Sequence, residues 1–352
     1  MKILFYLGHP AHFHLFKNSI KSLKKQHDIY IVAKEKDILI QLLKNENLPY
    51  YNILNKKRTK HNKFFIALEL LQREIKLFKF CMKHKPDIMI GTSAEITHIG
   101  KLLKIPSIVT NEDDINEVPL FTKIAYPYAT KILAPKSCDV GKWEYKTIQY
   151  EGYQELAYLH PNHFTPNIKK IEKYIDTSKP FFILRFAQLN AHHDKGKSGI
   201  TNEIAQQLID ILKPHGTIYI TSERKLSLEF EPYKIRIDAN DIHDALYFAS
   251  MYIGDSQTMA AEAAVLGTPS VRYNDFVGKL GYLNELENKY NLTCGISTKS
   301  SKKLIDIVIN HLPYIQDKKE FQNRRDYMLK QTVDTNQLIL NIINDILSGN
   351  PS

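Results

Sequence analysis

The chain has 352 residues, enough for two α/β domains of ordinary size and too many for one. Hydrophobic residues at 43% and charged residues at 24% mark a globular chain and exclude a disordered or fibrous one. A net charge of +10 points to a phosphorylated substrate, an anionic lipid surface or a plain lysine-rich exterior. No recognition helix or aromatic RNA platform is visible, so nucleic acid is set aside.

No run of 18 uncharged apolar residues occurs, so no membrane-spanning helix is expected. The apolar opening, residues 1–7, runs into Gly8-His9-Pro10 and reads as a first buried strand rather than a leader. Cys81, Cys138 and Cys294 are odd in number and far apart. They give no disulfide framework and no metal-ligand spacing, which favours a reducing compartment. The expected location is the cytoplasm, with the inner face of the cell membrane as a second option.

In chain order, a strand over 2–7 precedes a helix over 13–26 with Phe13, Phe16, Ile20 and Leu23 at helical spacing. A strand at 29–33, a helix at 37–46 and a strand at 49–54 follow. The basic segment Lys56-Lys57-Arg58-Thr59-Lys60 then leads into a long helix over 63–84 that bears Phe64, Phe65, Leu68, Leu71, Ile75, Phe78 and Phe80. That helix is read two ways: a face for an anionic membrane, or a core-facing helix with a lysine-rich exterior. A strand at 88–90, a helix through Ile96, Ile99 and Leu103, and a strand at 107–110 complete a pattern of parallel βαβ units.

The periodicity lapses over 151–166, where Gly152, Pro161 and Pro166 lie among polar residues. It restarts with a strand at 181–184, a helix at 200–212 and a strand at 217–221. A helix at 241–249, a strand at 251–253, a helix at 259–266 and a strand at 271–273 come next, before a helical C-terminal third. The expected domains are 1–160, 161–330 and a terminal helix over 331–352 that returns to the first. No metal site is expected.

The most informative stretch is Gly254-Asp255-Ser256-Gln257-Thr258-Met259, running through Glu262 to Leu266-Gly267-Thr268-Pro269. It is a strand end, a polar turn and a helix stopped by Gly with Pro behind it. Ligands of parallel sheets bind at strand carboxyl ends, where free N–H groups of a helix start favour phosphate. Ser256 and Thr258 suit a cap or a phosphate. Glu262, one turn on, suits the two hydroxyls of a ribose. The plain alternative is a capped helix packed through its alanines.

This stretch resembles the nucleotide-sugar motif of GT-B glycosyltransferases such as MurG, and the matching loop of the non-hydrolysing UDP-N-acetylglucosamine 2-epimerases. The chain more closely resembles an uncharacterised bacterial and archaeal GT-B-like family over most of its length. Segments 7–12, 152–159, Arg185 to Asp194, 221–224 and 276–281 carry that likeness. The resemblance implies an α/β protein of GT-B type, with two Rossmann-like domains whose parallel sheets face an interdomain cleft. It further implies a nucleotide-sugar substrate, above all a UDP-sugar, no separate cofactor, and a glycan or lipid-linked acceptor in surface polysaccharide synthesis. A sugar-nucleotide 2-epimerase or hydrolase is the alternative, although the epimerase Thr-Glu-Arg-Pro-Glu segment is replaced here by Asn274-Asp275-Phe276-Val277-Gly278. A non-catalytic sugar-nucleotide-binding protein is a third reading.

Candidate residues follow. For the donor they are Asp255, Ser256, Gln257, Thr258, Met259 and Glu262 of the motif. Arg185 suits a phosphate, or pairs with Glu223 to tie two strands. His193 on the next loop, Ser222 with Glu223, His243 near a nucleobase and Lys279 near a diphosphate complete the set. For catalysis, His12 or His14 after the first strand titrates near neutrality and suits a general base. Glu112 and Asp113, after the strand at 107–110, suit acceptor hydroxyls or the same base role.

Overall fold

A computed structural model describes residues 1–35, 38–54, 63–187 and 199–349, with the backbone alone for 63–67. It divides into two units, Met1–Tyr158 with Val333–Ser352, and Leu159–Thr332.

Unit 1 holds β1 (Lys2–Leu7), α1 (Pro10–Leu23), β2 (Asp28–Lys34), α2 (Leu39–Asn45), β3 (Tyr51–Leu54) and α3 (Lys63–His84). Then come β4 (Ile88–Gly91), α4 (Ala94–Leu103), β5 (Ser107–Thr110), α5 (Pro119–Ala125), β6 (Lys131–Pro135), β7 (Thr147–Tyr150) and a short α6 (Leu156–Leu159) at the unit boundary. The sheet is parallel in the order β3-β2-β1-β4-β5-β6-β7. β1 is buried at five of its six positions, as a central strand covered on both faces must be. α1 begins at Pro10 because His9 caps it, the ring accepting from the Ala11 N–H, and because Pro suits a first helical position.

Unit 2 holds β8 (Phe181–Phe186), α7 (Asn202–Leu212), β9 (Thr217–Ser222), α8 (Ile242–Phe248), β10 (Met251–Gly254) and α9 (Gln257–Val265). β11 (Ser270–Tyr273), α10 (Gly281–Asn288), β12 (Thr293–Ile296), α11 (Ser301–His311) and α12 (Lys319–Gln331) follow. This sheet is also parallel, in the order β12-β11-β10-β8-β9. α13 (Thr335–Leu347) belongs to unit 1: Thr335 donates to the Tyr153 carbonyl at 2.8 Å and Ser19 of α1 to Asn336 at 2.6 Å.

Both sheets reverse their winding once, between β1 and β4 in unit 1 and between β8 and β10 in unit 2. Loops on either side of such a switch point leave in opposite directions and open a crevice at the carboxyl ends of the strands. β6, β7 and β12 are strands that the sequence reading lacks. β7 and β12 are edge strands with half-exposed positions, which breaks the apolar run that announces a buried strand. β6 is five residues long and closes on Pro135.

Below α8, the Lys318 amine donates to the Tyr247 and Ala249 carbonyls, the latter at 2.8 Å, and so finishes the end of that helix. Burial pushes this amine down to about 7. The unfolded chain, with an ordinary lysine near 10.4, then binds the extra proton between pH 7 and pH 10, so stability rises with pH across that window by up to about 4 kcal/mol. The expected outcome is a melting temperature that climbs from pH 7 to 9.5 more steeply in the wild type than in Lys318→Met; parallel profiles would contradict the buried neutral amine.

Candidate functional site

At the switch point of unit 2, Arg185, one residue before the end of β8, is in register with Gly254 of β10. A Cβ on Gly254 would lie 2.4 Å from the Tyr252 hydroxyl and 2.8 Å from the Arg185 Cβ, so only glycine lets the two strands close here. The Arg185 guanidinium pairs with Glu223 at the end of β9, the strand-tying arrangement named among the sequence expectations. Its Nε is buried with no hydrogen-bond partner among the described residues. Ser222 is occupied within its own turn, accepting from the Arg224 N–H at 3.2 Å and donating to the Arg224 carbonyl at 2.7 Å. Arg224, whose role the sequence does not signal, lies over the Phe186 ring at 5.0 Å and donates to the Ile200 carbonyl.

Asp255 departs from its expected role. Its side chain is 1% exposed, and its carboxylate accepts from the Ala187 N–H at 2.6 Å and the Ile200 N–H at 3.2 Å. Gly199 is required beside it, since a Cβ there would sit 2.4 Å from the carboxylate. Burial raises the Asp255 pKa, and the backbone donors and nearby Arg224 only partly offset it. The group therefore joins the chain on either side of residues 188–198 instead of facing a ligand. His193 falls in that stretch, outside the described residues.

α9 starts on Ser256, whose hydroxyl accepts from the Met259 N–H at 3.4 Å, and stops at Gly267 with φ +74°. Ser256, Gln257, Thr258 and Met259 are all partly exposed, so the first turn is open to solvent while Ala260 to Val265 are buried. Glu262 falls on the buried part: it is 5% exposed and accepts from His243 Nε2 at 3.0 Å. A carboxylate must receive this bond, so His243 carries its proton on Nε2. The residues expected near the ribose and the nucleobase are thus bonded to each other. Lys279 is exposed, just past Gly278 with φ +82°. Asn274, given no role of its own in the sequence reading, is fully buried and ties this loop down: it donates to the Asp255 carbonyl at 3.2 Å and accepts from the Phe276 N–H at 3.0 Å.

In unit 1 the carboxyl ends of β1, β4 and β5 surround a cavity of about 210 Å³. It is lined by His12, Thr92, Thr110, Asn111, Glu112, Asp113 and Gln154, with Val118 and Phe121 as an apolar wall. The structure therefore brings together His12, Glu112 and Asp113. His14 is not among them; it is 7% exposed, on the face of α1 where its ring lies 5.4 Å from that of Tyr158. The Gly8 N–H donates to His12 Nδ1 at 3.1 Å, and an amide can only donate. The neutral ring thus carries its proton on Nε2, and Thr92 Oγ1 lies 2.6 Å from Nδ1 and 2.7 Å from Nε2. The same cavity wall carries the carboxylates of Glu112 and Asp113.

Behind the cavity, Glu95 at the start of α4 is 4% exposed and accepts from the Tyr6 hydroxyl at 3.0 Å, from Ser93 at 2.6 Å and from Arg73. Burial opposes its charge, but Arg73 and Ser93 outweigh burial and hold the carboxyl below the ordinary carboxylate value. A larger cavity of about 390 Å³, lined by Tyr174, Tyr219 and Tyr233, lies at the amino end of β9 and holds none of the expected site residues.

Among known proteins, an uncharacterised protein of Methanocaldococcus jannaschii is 24% identical over 343 residues, which span 92% of this chain and 96% of that one. The UDP-GlcNAc 2-epimerase of Neisseria meningitidis, solved with UDP-GlcNAc, has a TM-score of 0.65 at 14% identity and is covered over 100% of its length by 99% of this chain. The spinosyn rhamnosyltransferase SpnG, solved with the spinosyn aglycone, has a TM-score of 0.64 at 12% identity, with 98% of this chain covering 100% of it. These likenesses establish the GT-B fold. The family model described as Protein of unknown function (DUF354) matches residues 1–348, and the chain belongs to that family.

Proposed function

We propose that this protein is a glycosyltransferase that moves a sugar from a nucleotide-sugar donor, above all a UDP-sugar, to a glycan or lipid-linked acceptor in surface polysaccharide synthesis. The observation that carries the reading is the open first turn of α9 at the switch point of unit 2, with Arg185 beside it. The backbone N–H groups of Gln257 and Thr258 and the positive end of the helix dipole suit a diphosphate. The pair of Arg185 with the half-exposed Glu223 is cheap to exchange for a phosphate, because such pairs contribute about 0–1 kcal/mol.

The acceptor is assigned to the unit 1 cavity. Its hydroxyl loses a proton to Glu112 or Asp113 as the oxygen bonds to the anomeric carbon of the donor. The bond from that carbon to the diphosphate breaks, and the electron pair leaves with the nucleoside diphosphate. The helix start and Arg185 stabilise that departing charge. We assign His12, on the same cavity wall, to orienting the acceptor hydroxyl and leave its proton to the carboxylates. A 2-epimerase or hydrolase is a second reading, because two carboxylates in one cavity also suit proton removal from a sugar carbon or activation of water.

A thermal-shift panel of UDP, GDP, CDP and dTDP sugars tests the donor, since a ligand bound to the folded chain raises its melting temperature. The best donor is expected to lose at least tenfold in affinity in Arg185→Ala, with the ligand-free melting temperature within about 2 °C of wild type. Equal affinity removes Arg185 from the site. Glu262→Ala, by contrast, strands buried His243 and is expected to lower the ligand-free melting temperature by several degrees, the cost being about 1–3 kcal/mol. No drop would mean that the buried pair contributes nothing to stability.

Replacing the base is expected to cut kcat by roughly 10²–10⁴, so one of Glu112→Gln and Asp113→Asn falls that far in an assay with the identified donor. If both retain full activity, the base lies elsewhere. Incubation with UDP-GlcNAc alone separates the second reading: UDP release or a 2-epimer without any acceptor favours it over transfer.

A further inference from the structure

The outward face of α3 is unlike that of an ordinary surface helix. Leu68, Leu71, Ile75 and Met82 are 40%, 51%, 47% and 53% exposed. At 3.6 residues per turn these four fall within an arc of about 60°. Gln72, Lys76, Lys79 and Lys83, all exposed, fill the next arc of about 60°. Leu77 and Cys81 are buried on the opposite side, so the stripe is not the core face.

The acids of this helix lie off both arcs. Glu74 is held by His98 of α4, and Glu69 lies 3.8 Å from Arg73 Nη1. Arg73 in turn reaches inward to Glu95. Between Leu68 and Lys83, over about 22 Å of helix, the outward surface is therefore aliphatic along one edge and cationic along the other, without a carboxylate among the described residues.

We propose that this face of α3 lies flat on an anionic membrane surface. Leucine, isoleucine and methionine side chains enter the boundary between headgroups and acyl chains, while Lys79 and Lys83 reach the lipid phosphates. The helix is not long and apolar enough to cross a bilayer, so it rests in the plane. The charge pattern selects lipid over a second copy of the chain. A paired copy would bring an identical face with three lysines and no acid to meet them, whereas an anionic bilayer supplies that charge along the whole stripe.

Co-sedimentation of the full chain with vesicles tests this without reference to the reaction. The wild type is expected to pellet with phosphatidylglycerol/phosphatidylcholine vesicles at least tenfold more than with phosphatidylcholine alone, and to be released by high salt. Leu71→Glu/Ile75→Glu and Lys79→Glu/Lys83→Glu should each lose at least tenfold in binding. Both should keep the wild-type melting temperature, because the positions are exposed. The proposal is overturned by wild-type protein that stays in the supernatant with anionic vesicles, or by variants that bind as the wild type does. It is also overturned by a wild-type dimer in sedimentation velocity that Leu71→Glu/Ile75→Glu converts to monomer.

Discussion

A single carboxylate organises the carboxyl edge of unit 2. Asp255 sits where the β-sheet reverses its winding, 1% exposed, and spends both oxygens on backbone N–H groups from the end of β8 and the approach to α7. Its own carbonyl is held by Asn274 from the loop after β11, and its N–H reaches the Arg185 carbonyl at 3.3 Å. Three strand ends and one helix entry are thereby fixed by one residue. Burying a carboxylate is unfavourable unless its lone pairs are met, and here backbone amides meet them. The partly exposed first turn of α9 follows: with Asp255 anchored, Ser256 begins the helix at a set position and caps it through the Met259 N–H.

Unit 1 reaches a similar end by different chemistry. Its edge is organised by Glu95, which gathers Tyr6, Ser93 and Arg73 beneath the loops after β1 and β4. Ser93 neighbours Thr92, and Thr92 meets the ring that the Gly8 amide has already fixed in one tautomer. Among the described residues, the cavity that results is lined by two carboxylates and no lysine or arginine, in a chain of net charge +10. That contrast separates the two units chemically: unit 2 presents amides and a guanidinium suited to an anion, unit 1 presents groups suited to hydroxyls.

Much of this is legible in the sequence, for a definite reason. Central strands such as 2–7 and 251–254 are continuous apolar runs, and α9 is bracketed by a capping serine and a Gly-Thr-Pro stop, so their placement needs no tertiary information. β7 and β12 escape because an edge strand keeps one side in water and loses the run. Side-chain partners are harder. Nothing local distinguishes an Asp that binds a ligand from Asp255, which bonds amides 68 and 55 residues away in the chain. Likewise Glu262 has the spacing of a ribose ligand, yet its partner His243 comes from another helix. The His12 tautomer is decided by an amide four residues earlier, which is local, but only once the loop geometry is known.

The return of α13 to unit 1 has a consequence for how the chain is made. Val333 bonds to Glu151, Thr335 to Tyr153 and Asn336 to Ser19, so the first unit is completed by residues synthesised after the whole of the second. During translation the leading half emerges with the α1 surface still bare, and it waits for about 170 further residues at roughly 5–20 per second before its last helix arrives. The second unit, by contrast, is contiguous from Leu159 to Thr332 and has all its own strands as soon as it clears the ribosome. Order of synthesis and order of completion are therefore reversed, and the closing helix acts as a latch that arrives only after the second unit has been made.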